Sequence, residues 1–187
     1  GNGTNTDSNV PVQVSALPGI TAIGGGYVYS FALKNDGTVR AWGRNDYGQL
    51  GNGTNTDSNV PVQVSTLSAI TAIAGGYNHS LALKNDSTVR AWGGNGLGQL
   101  GNGTNTNSNV PVQVSALSGI TAIGGGNAFS LALKNDSTVW AWGYNTSGQL
   151  GNGTNTISNV PVLVSALSGI ITIAGGANHS LALKNDS

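Results

Sequence analysis

The stretch GNGTNTDSNVPVQVS begins at Gly1 and returns almost unchanged at Gly51, Gly101 and Gly151, so the chain is a tandem repeat with a 50-residue period. Residues 1–50 and 51–100 are identical at 39 positions without a gap, 101–150 match the first copy equally well, and 151–187 form a truncated fourth copy. A period of this size restricts the chain to solenoids, propellers or arrays, in which each unit buries its apolar face on its neighbour. One repeat domain over 1–187 is expected, with units 1–50, 51–100, 101–150 and 151–187. Helical arrays do not fit, because each unit is dense in Gly and β-branched residues and nowhere shows the apolar spacing of an amphipathic helix.

Strands fit instead. In the first unit VPVQVS alternates from Val10 to Val14, ITAIGGG runs from Ile20, YSFALKN from Tyr29, and TVRAWG from Thr38 to Gly43. ALPG, the Gly25-Gly26 pair and KNDG separate them with residues that tolerate turn geometry. Four short strands per unit predict an all-β propeller blade.

Charged residues make up 7% of the chain, seven Lys and Arg against seven Asp, with no Glu. That balance argues against nucleic acid or an anionic membrane as partner, since both are held by clustered basic side chains. With no Cys there is neither a disulfide nor a thiolate metal site. No apolar run approaches the roughly 20 residues that span a bilayer. The chain has no initial Met and starts and stops inside a repeat, which reads as a fragment, a processed product or an engineered array.

The pattern TVRAWGRNDYGQLGNGT, PVQV and ITAIGGGYVYSFALKNDG resembles the repeat of the regulator of chromosome condensation family. Trp42-Gly43, Asn45, Gly48-Gln49-Leu50-Gly51, Pro61, Gly75-Gly76 and His79-Ser80-Leu81-Ala82-Leu83 carry the resemblance, which spans the whole chain. It implies four-stranded blades with ITAIGGG as inner strand A, SFALKN as B, TVRAWG as C and VPVQVS as outer strand D. Counting on that phasing gives D, three full ABCD sets, then A and B. This is an incomplete ring of fifteen strands, and self-association is expected to complete it.

Comparing the copies points to one face. Turns on the B–C and D–A side vary only among small residues, as in Gly37 to Ser87. The A–B and C–D loops change size, charge and aromaticity. Candidate binding residues are therefore Tyr27, Tyr29, Arg44, Tyr47, Tyr77, His79, Phe129, Tyr144 and His179, rigid aromatic and charged anchors on a fixed scaffold. Trp42, Trp92 and Trp142, with Gly25, Gly75 and Gly125, read as structural. Trp140 reads as packing between blades.

Catalytic and metal chemistry find no candidates. His79 and Ser80, like His179 and Ser180, are strand neighbours that point to opposite faces, so they cannot form a base and nucleophile pair. Asp36, Asp86, Asp136 and Asp186 sit in identical KND turns and read as structural. Asp7 and Asp57 are replaced by Asn107 and Ile157, which removes a calcium-loop reading. The Gly-rich segments lack a phosphate loop's Lys and following helix, so no cofactor is expected. Asn-x-Ser/Thr triplets such as Asn52 and Asn85 read as turns. The leading reading is a non-enzymatic scaffold that binds a protein partner through the A–B/C–D face. The family resemblance also implies guanine-nucleotide exchange and chromatin binding, although equal repeat lengths leave no inserted exchange hairpin. A third reading is a secreted or cell-surface bacterial protein that is structural, adhesive or glycan-binding.

Overall fold

Asn-Asp turns and Gly-rich links cut each repeat into short strands, and the computed structural model, which describes residues 1–185, contains fourteen strands among those residues. Strands β1 (Ile20–Gly25), β2 (Tyr29–Lys34), β3 (Val39–Gly43) and β4 (Ser58–Gln63) form an antiparallel sheet in chain order. The pattern repeats in β5 (Ile70–Gly75), β6 (His79–Lys84), β7 (Val89–Gly93) and β8 (Ser108–Gln113). It repeats again in β9 (Ile120–Gly125), β10 (Phe129–Lys134), β11 (Val139–Gly143) and β12 (Ser158–Leu163). A final hairpin joins β13 (Ile170–Gly175) to β14 (Ser180–Lys184). These are propeller blades in the expected A to D order, and they do not close into a ring. The Asp186 turn lies outside the described residues.

The first VPVQVS segment is not a strand, which corrects the count of fifteen to fourteen. The reason is local: β4 takes its ladder from β3, and among the described residues no strand is placed to offer Val10 to Val14 one. Val10 and Val12 consequently stand exposed. In the other three copies Pro61, Pro111 and Pro161 lie on the outermost strand, where a missing N–H costs no ladder bond.

The core lies between blades rather than within them. Leu33, Val39 and Ala41 of the first blade meet Leu50, Val64 and Ile70, and close against Ala82 and Trp92 of the second. The same set, one repeat on, joins the second blade to the third through Leu81, Val89, Leu100, Ile120 and Trp142. Each fully buried Leu contributes about 1.5–3 kcal/mol. Near the axis the inner strands come close enough that a Cβ on Gly75 would sit 2.6 Å from the Gly25 carbonyl oxygen, and one on Gly125 2.5 Å from that of Gly75. Only glycine permits this approach. Beside it, amides link one blade to the next: Tyr27 N to Tyr77 O at 3.3 Å, Tyr77 N to Asn127 O at 3.0 Å, and Asn127 N to Ala177 O at 3.2 Å.

Candidate functional site

The polar loop that opens each repeat is the C–D connection, and one buried asparagine organises it. Asn45 Nδ2 donates to Thr54 O at 2.9 Å and Thr56 O at 3.0 Å, while its Oδ1 accepts from Leu50 N at 2.9 Å. Asn95 and Asn145 repeat these bonds. Asp57 Oδ1 accepts from Asn45 N at 2.7 Å, and Asn107 Oδ1 does the same for Asn95. That acceptor role explains why Asn replaces Asp there without loss. The loop also bridges blades, with Asn109 Nδ2 donating to Asn55 Oδ1 at 3.0 Å and Asn159 Nδ2 to Asn105 Oδ1 at 2.9 Å.

Held this way, the C–D loops lie beside the A–B turns. Arg44 N donates to Val28 O at 3.0 Å, Gly94 N to Asn78 O at 2.7 Å, and Tyr144 N to Ala128 O at 2.9 Å. Tyr27 and Tyr77 stack on this face with ring centroids 4.1 Å apart and planes 14° from parallel. Both rings are exposed, Tyr27 at 61% and Tyr77 at 37%. Desolvation raises the Tyr77 phenol above its ordinary range, the Tyr27 hydroxyl adds to the rise, and Arg44 opposes it. Arg44 is ion-paired to Asp46 in solvent, a contact of little energetic weight. Tyr47 and Tyr77 line a cleft of about 320 Å³. Its lining also includes Gly94, Gly96 and Leu97, where the first repeat has Arg44, Asp46 and Tyr47. Asn78 Oδ1 in this cleft is buried without a hydrogen-bond partner among the described residues. The structure thus brings Tyr27, Tyr77, Arg44 and Tyr47 together. Tyr144 is half-buried in the third repeat, and His179 is exposed beside Gln149 and Leu150.

Tyr29, His79 and Phe129 are buried, which corrects their reading as surface anchors. Each ring lies over the second glycine of the Gly-Gly pair, so that a Cβ on Gly26, Gly76 or Gly126 would fall inside it. From there the side chain reaches the next blade. The Tyr29 hydroxyl donates to His79 O and lies 3.1 Å from Ser80 Oγ, and burial pushes its phenol up. His79 Nε2 meets Ser130 Oγ at 2.9 Å, and desolvation lowers the imidazole to about 4. Phe129 fills the equivalent space without a polar bond.

Sequence reasoning missed a second device between blades. The Gln49 carbonyl accepts both Trp92 Nε1 at 2.9 Å and Ser80 Oγ at 3.0 Å. Gln99 O accepts Trp142 Nε1 at 2.9 Å and Ser130 Oγ at 2.8 Å, and Gln149 O accepts Ser180 Oγ at 2.6 Å. Trp92 and Trp142 are buried, whereas Trp42 is half-exposed. Among the described residues no three His, Asp or Glu side chains cluster as metal ligands.

The repeat pattern described as "Regulator of chromosome condensation (RCC1) repeat" matches residues 36–83, 86–133 and 136–183, and a second pattern of the same description matches 20–49, 70–99 and 120–149. Among solved structures the chain resembles Prp20p from Saccharomyces cerevisiae, studied for its binding to Gsp1p and histones, at 21% identity and TM-score 0.80 over 89% of this chain and 44% of that one. It likewise resembles yeast Prp20 with bound Kap60, at 23% identity and TM-score 0.80 over 94% and 43%. Human WBSCR16 matches at 18% identity and TM-score 0.69 over 96% and 61%. The chain therefore spans less than half the length of the yeast structures, and the likeness is one of fold.

Proposed function

Since the chain belongs to the regulator of chromosome condensation repeat family, we propose that it is a non-enzymatic propeller scaffold that holds a protein partner on its A–B/C–D face. The observation that carries this reading is the convergence of Tyr27, Tyr77, Arg44 and Tyr47, from two repeats, around a stacked and exposed aromatic pair. Rigid tyrosines bring large contact area at low cost in side-chain entropy, which suits a protein surface. The yeast structures, described with Gsp1p, histones and Kap60, offer precedent for protein partners on this fold. Exchange or chromatin roles are supported less well here, because every repeat has the same length and positive charge is balanced rather than clustered.

A photo-crosslinker at Val28, which is exposed beside the stacked pair, tests the proposal against one at Ser87 on the opposite face. Partner capture is expected only from position 28. Combined Tyr27→Ala and Tyr77→Ala substitution should weaken that binding by about tenfold or more, as for loss of aromatic anchors. Capture through position 87, or binding unchanged in the double variant, overturns the reading.

A specific observation also favours self-association. Leu181 and Leu183 are 60% and 57% exposed, although their copies Leu81 and Leu83 are buried by the next blade. At the other end Ile23 is 80% exposed, while its copy Ile73 packs into the interblade core. The two open faces are the two halves of an interface that the chain already makes internally, so a second copy fits both.

A further inference from the structure

The cleft beside Tyr47 and Tyr77 is centred on the second repeat and has a repeat on either side, the first supplying Tyr47 and the third Asn127 and Ala128. Two small residues open it. Arg44 and Tyr144 stand where the second repeat has Gly94, and Asp46 and Thr146 where it has Gly96. The backbone at the first of these positions is bonded alike in all three repeats, to Val28 O, Asn78 O and Ala128 O. The difference therefore lies in the side chain. A Cβ on Gly94 would stand 3.4 Å from Asn78 Cβ and 3.7 Å from Gln99 Nε2, and one on Gly96 would meet nothing within 4 Å.

Two carboxamides flank this space, and each has a polar atom to spare. Asn78 Oδ1 has no hydrogen-bond partner among the described residues. Gln99 is 7% exposed, its Oε1 accepts from Leu97 N at 2.9 Å, and its Nε2 donates no hydrogen bond among the described residues. Gln49 and Gln149 leave the same nitrogen unpaired but buried, whereas in the second repeat it stands beside the position that a Gly94 Cβ would take. The Asn78 amide can turn about its broad terminal torsion to meet a ligand.

These atoms call for a ligand that both donates and accepts. No residue lining the cleft is charged, since Asn107 stands where the first repeat has Asp57. An ammonium or guanidinium would serve Asn78 Oδ1 but not Gln99 Nε2, and a carboxylate would do the reverse. A hydroxyl does both. The Tyr47 and Tyr77 rings add apolar surface on which the C–H face of a sugar ring can lie. At about 320 Å³ the cleft has the size of a small-ligand site.

We propose that this cleft binds a neutral pyranose sugar, whose hydroxyls bridge Asn78 and Gln99 and whose ring lies against tyrosine. The site goes beyond protein docking on the same face and does not depend on it. The first and third repeats lack both halves of it: Val28 and Ala128 offer no side-chain acceptor, and Arg44 and Tyr144 replace Gly94.

Amide NMR spectra of the nitrogen-15-labelled chain, titrated with methyl β-glucopyranoside, methyl β-galactopyranoside and methyl α-mannopyranoside, test this. The side-chain amide signals of Asn78 and Gln99 are expected to shift saturably with at least one glycoside, at a half-point of about 10 mM or below, the scale that ligand efficiency sets for so few atoms. Glucuronate and glucosamine carry charge of either sign on a similar ring and should bind about tenfold more weakly or less. Asn78→Ala, which copies Ala128, should weaken binding about tenfold, read at Gln99. Gly94→Tyr, which copies Tyr144, should abolish it. Gly96→Thr, which copies Thr146 into open space, should weaken it and keeps the test decisive if Gly94→Tyr disturbs the fold. Partner capture from position 28 is a separate readout, so either reading can fail alone. No shift with any of the three glycosides, equal binding of a charged analogue, or binding that survives the glycine variants overturns the proposal. So do shifts produced only by N-acetylalanine amide, a mimic of a peptide partner.

Discussion

Position 79 shows how one residue can tie stability to pH. His79 is fully buried, its Nδ1 has no partner among the described residues, and its folded value of about 4 lies below the ordinary 6.5. Between those values the unfolded chain binds the proton that the folded chain refuses, so stability rises with pH through this window and is lost as pH falls. Urea titrations should show a loss of about 2 kcal/mol between pH 7 and pH 5. His79→Phe, which copies Phe129, should remove most of that dependence. Ala69 presents a different residue-scale case. It has φ 58, where the other three copies have Gly19, Gly119 and Gly169. Ala69→Gly should stabilise the fold by about 1 kcal/mol in thermal or chemical melts. The variation at Tyr29, His79 and Phe129 resembled that of an exposed loop, but strand parity held the contrary signal. Residue 29 shares its side of β2 with Phe31 and Leu33, both core residues. Tyr27 and Tyr77 precede the strands and escape that alternation, which is why their place on the outer face was legible.

At the level of elements, the tryptophan clamp gives the blades unequal worth. Trp92 and Trp142 are enclosed and each donates to a glutamine carbonyl of the preceding repeat, whereas Trp42 is half-exposed. Trp92→Ala and Trp142→Ala should each cost about 3–5 kcal/mol, and Trp42→Ala about half that or less, measured by denaturant unfolding. The four strands of each repeat were readable from alternation and turn residues because each carries its own period and its own stops, whereas their A to D phasing followed from the family resemblance. The absence of a strand at Val10 to Val14 was not, because a D strand is defined by its partner and not by its own residues. The glutamine clamp was hidden for a related reason. Its acceptor is a backbone carbonyl, which leaves no mark in a side-chain pattern.

For the whole molecule, each blade leans only on its neighbours, so the proposed self-association is tested at the terminal faces. Light scattering after gel filtration is expected to give a mass above 18.7 kDa, and Leu181→Asp with Leu183→Asp should return it to that of one chain. A single-chain mass for the unaltered protein would remove the self-association reading. The clamp adds a constraint on geometry. Trp and Ser hydrogens always point back to the glutamine carbonyl of the repeat before, never forward. The molecule is accordingly a vector, its Ile23 face and its Leu181 and Leu183 face unlike. Two copies joined through these faces as successive blades are joined run in the same sense, as monomers do in a polar filament, whereas a two-fold pairing would set like faces together.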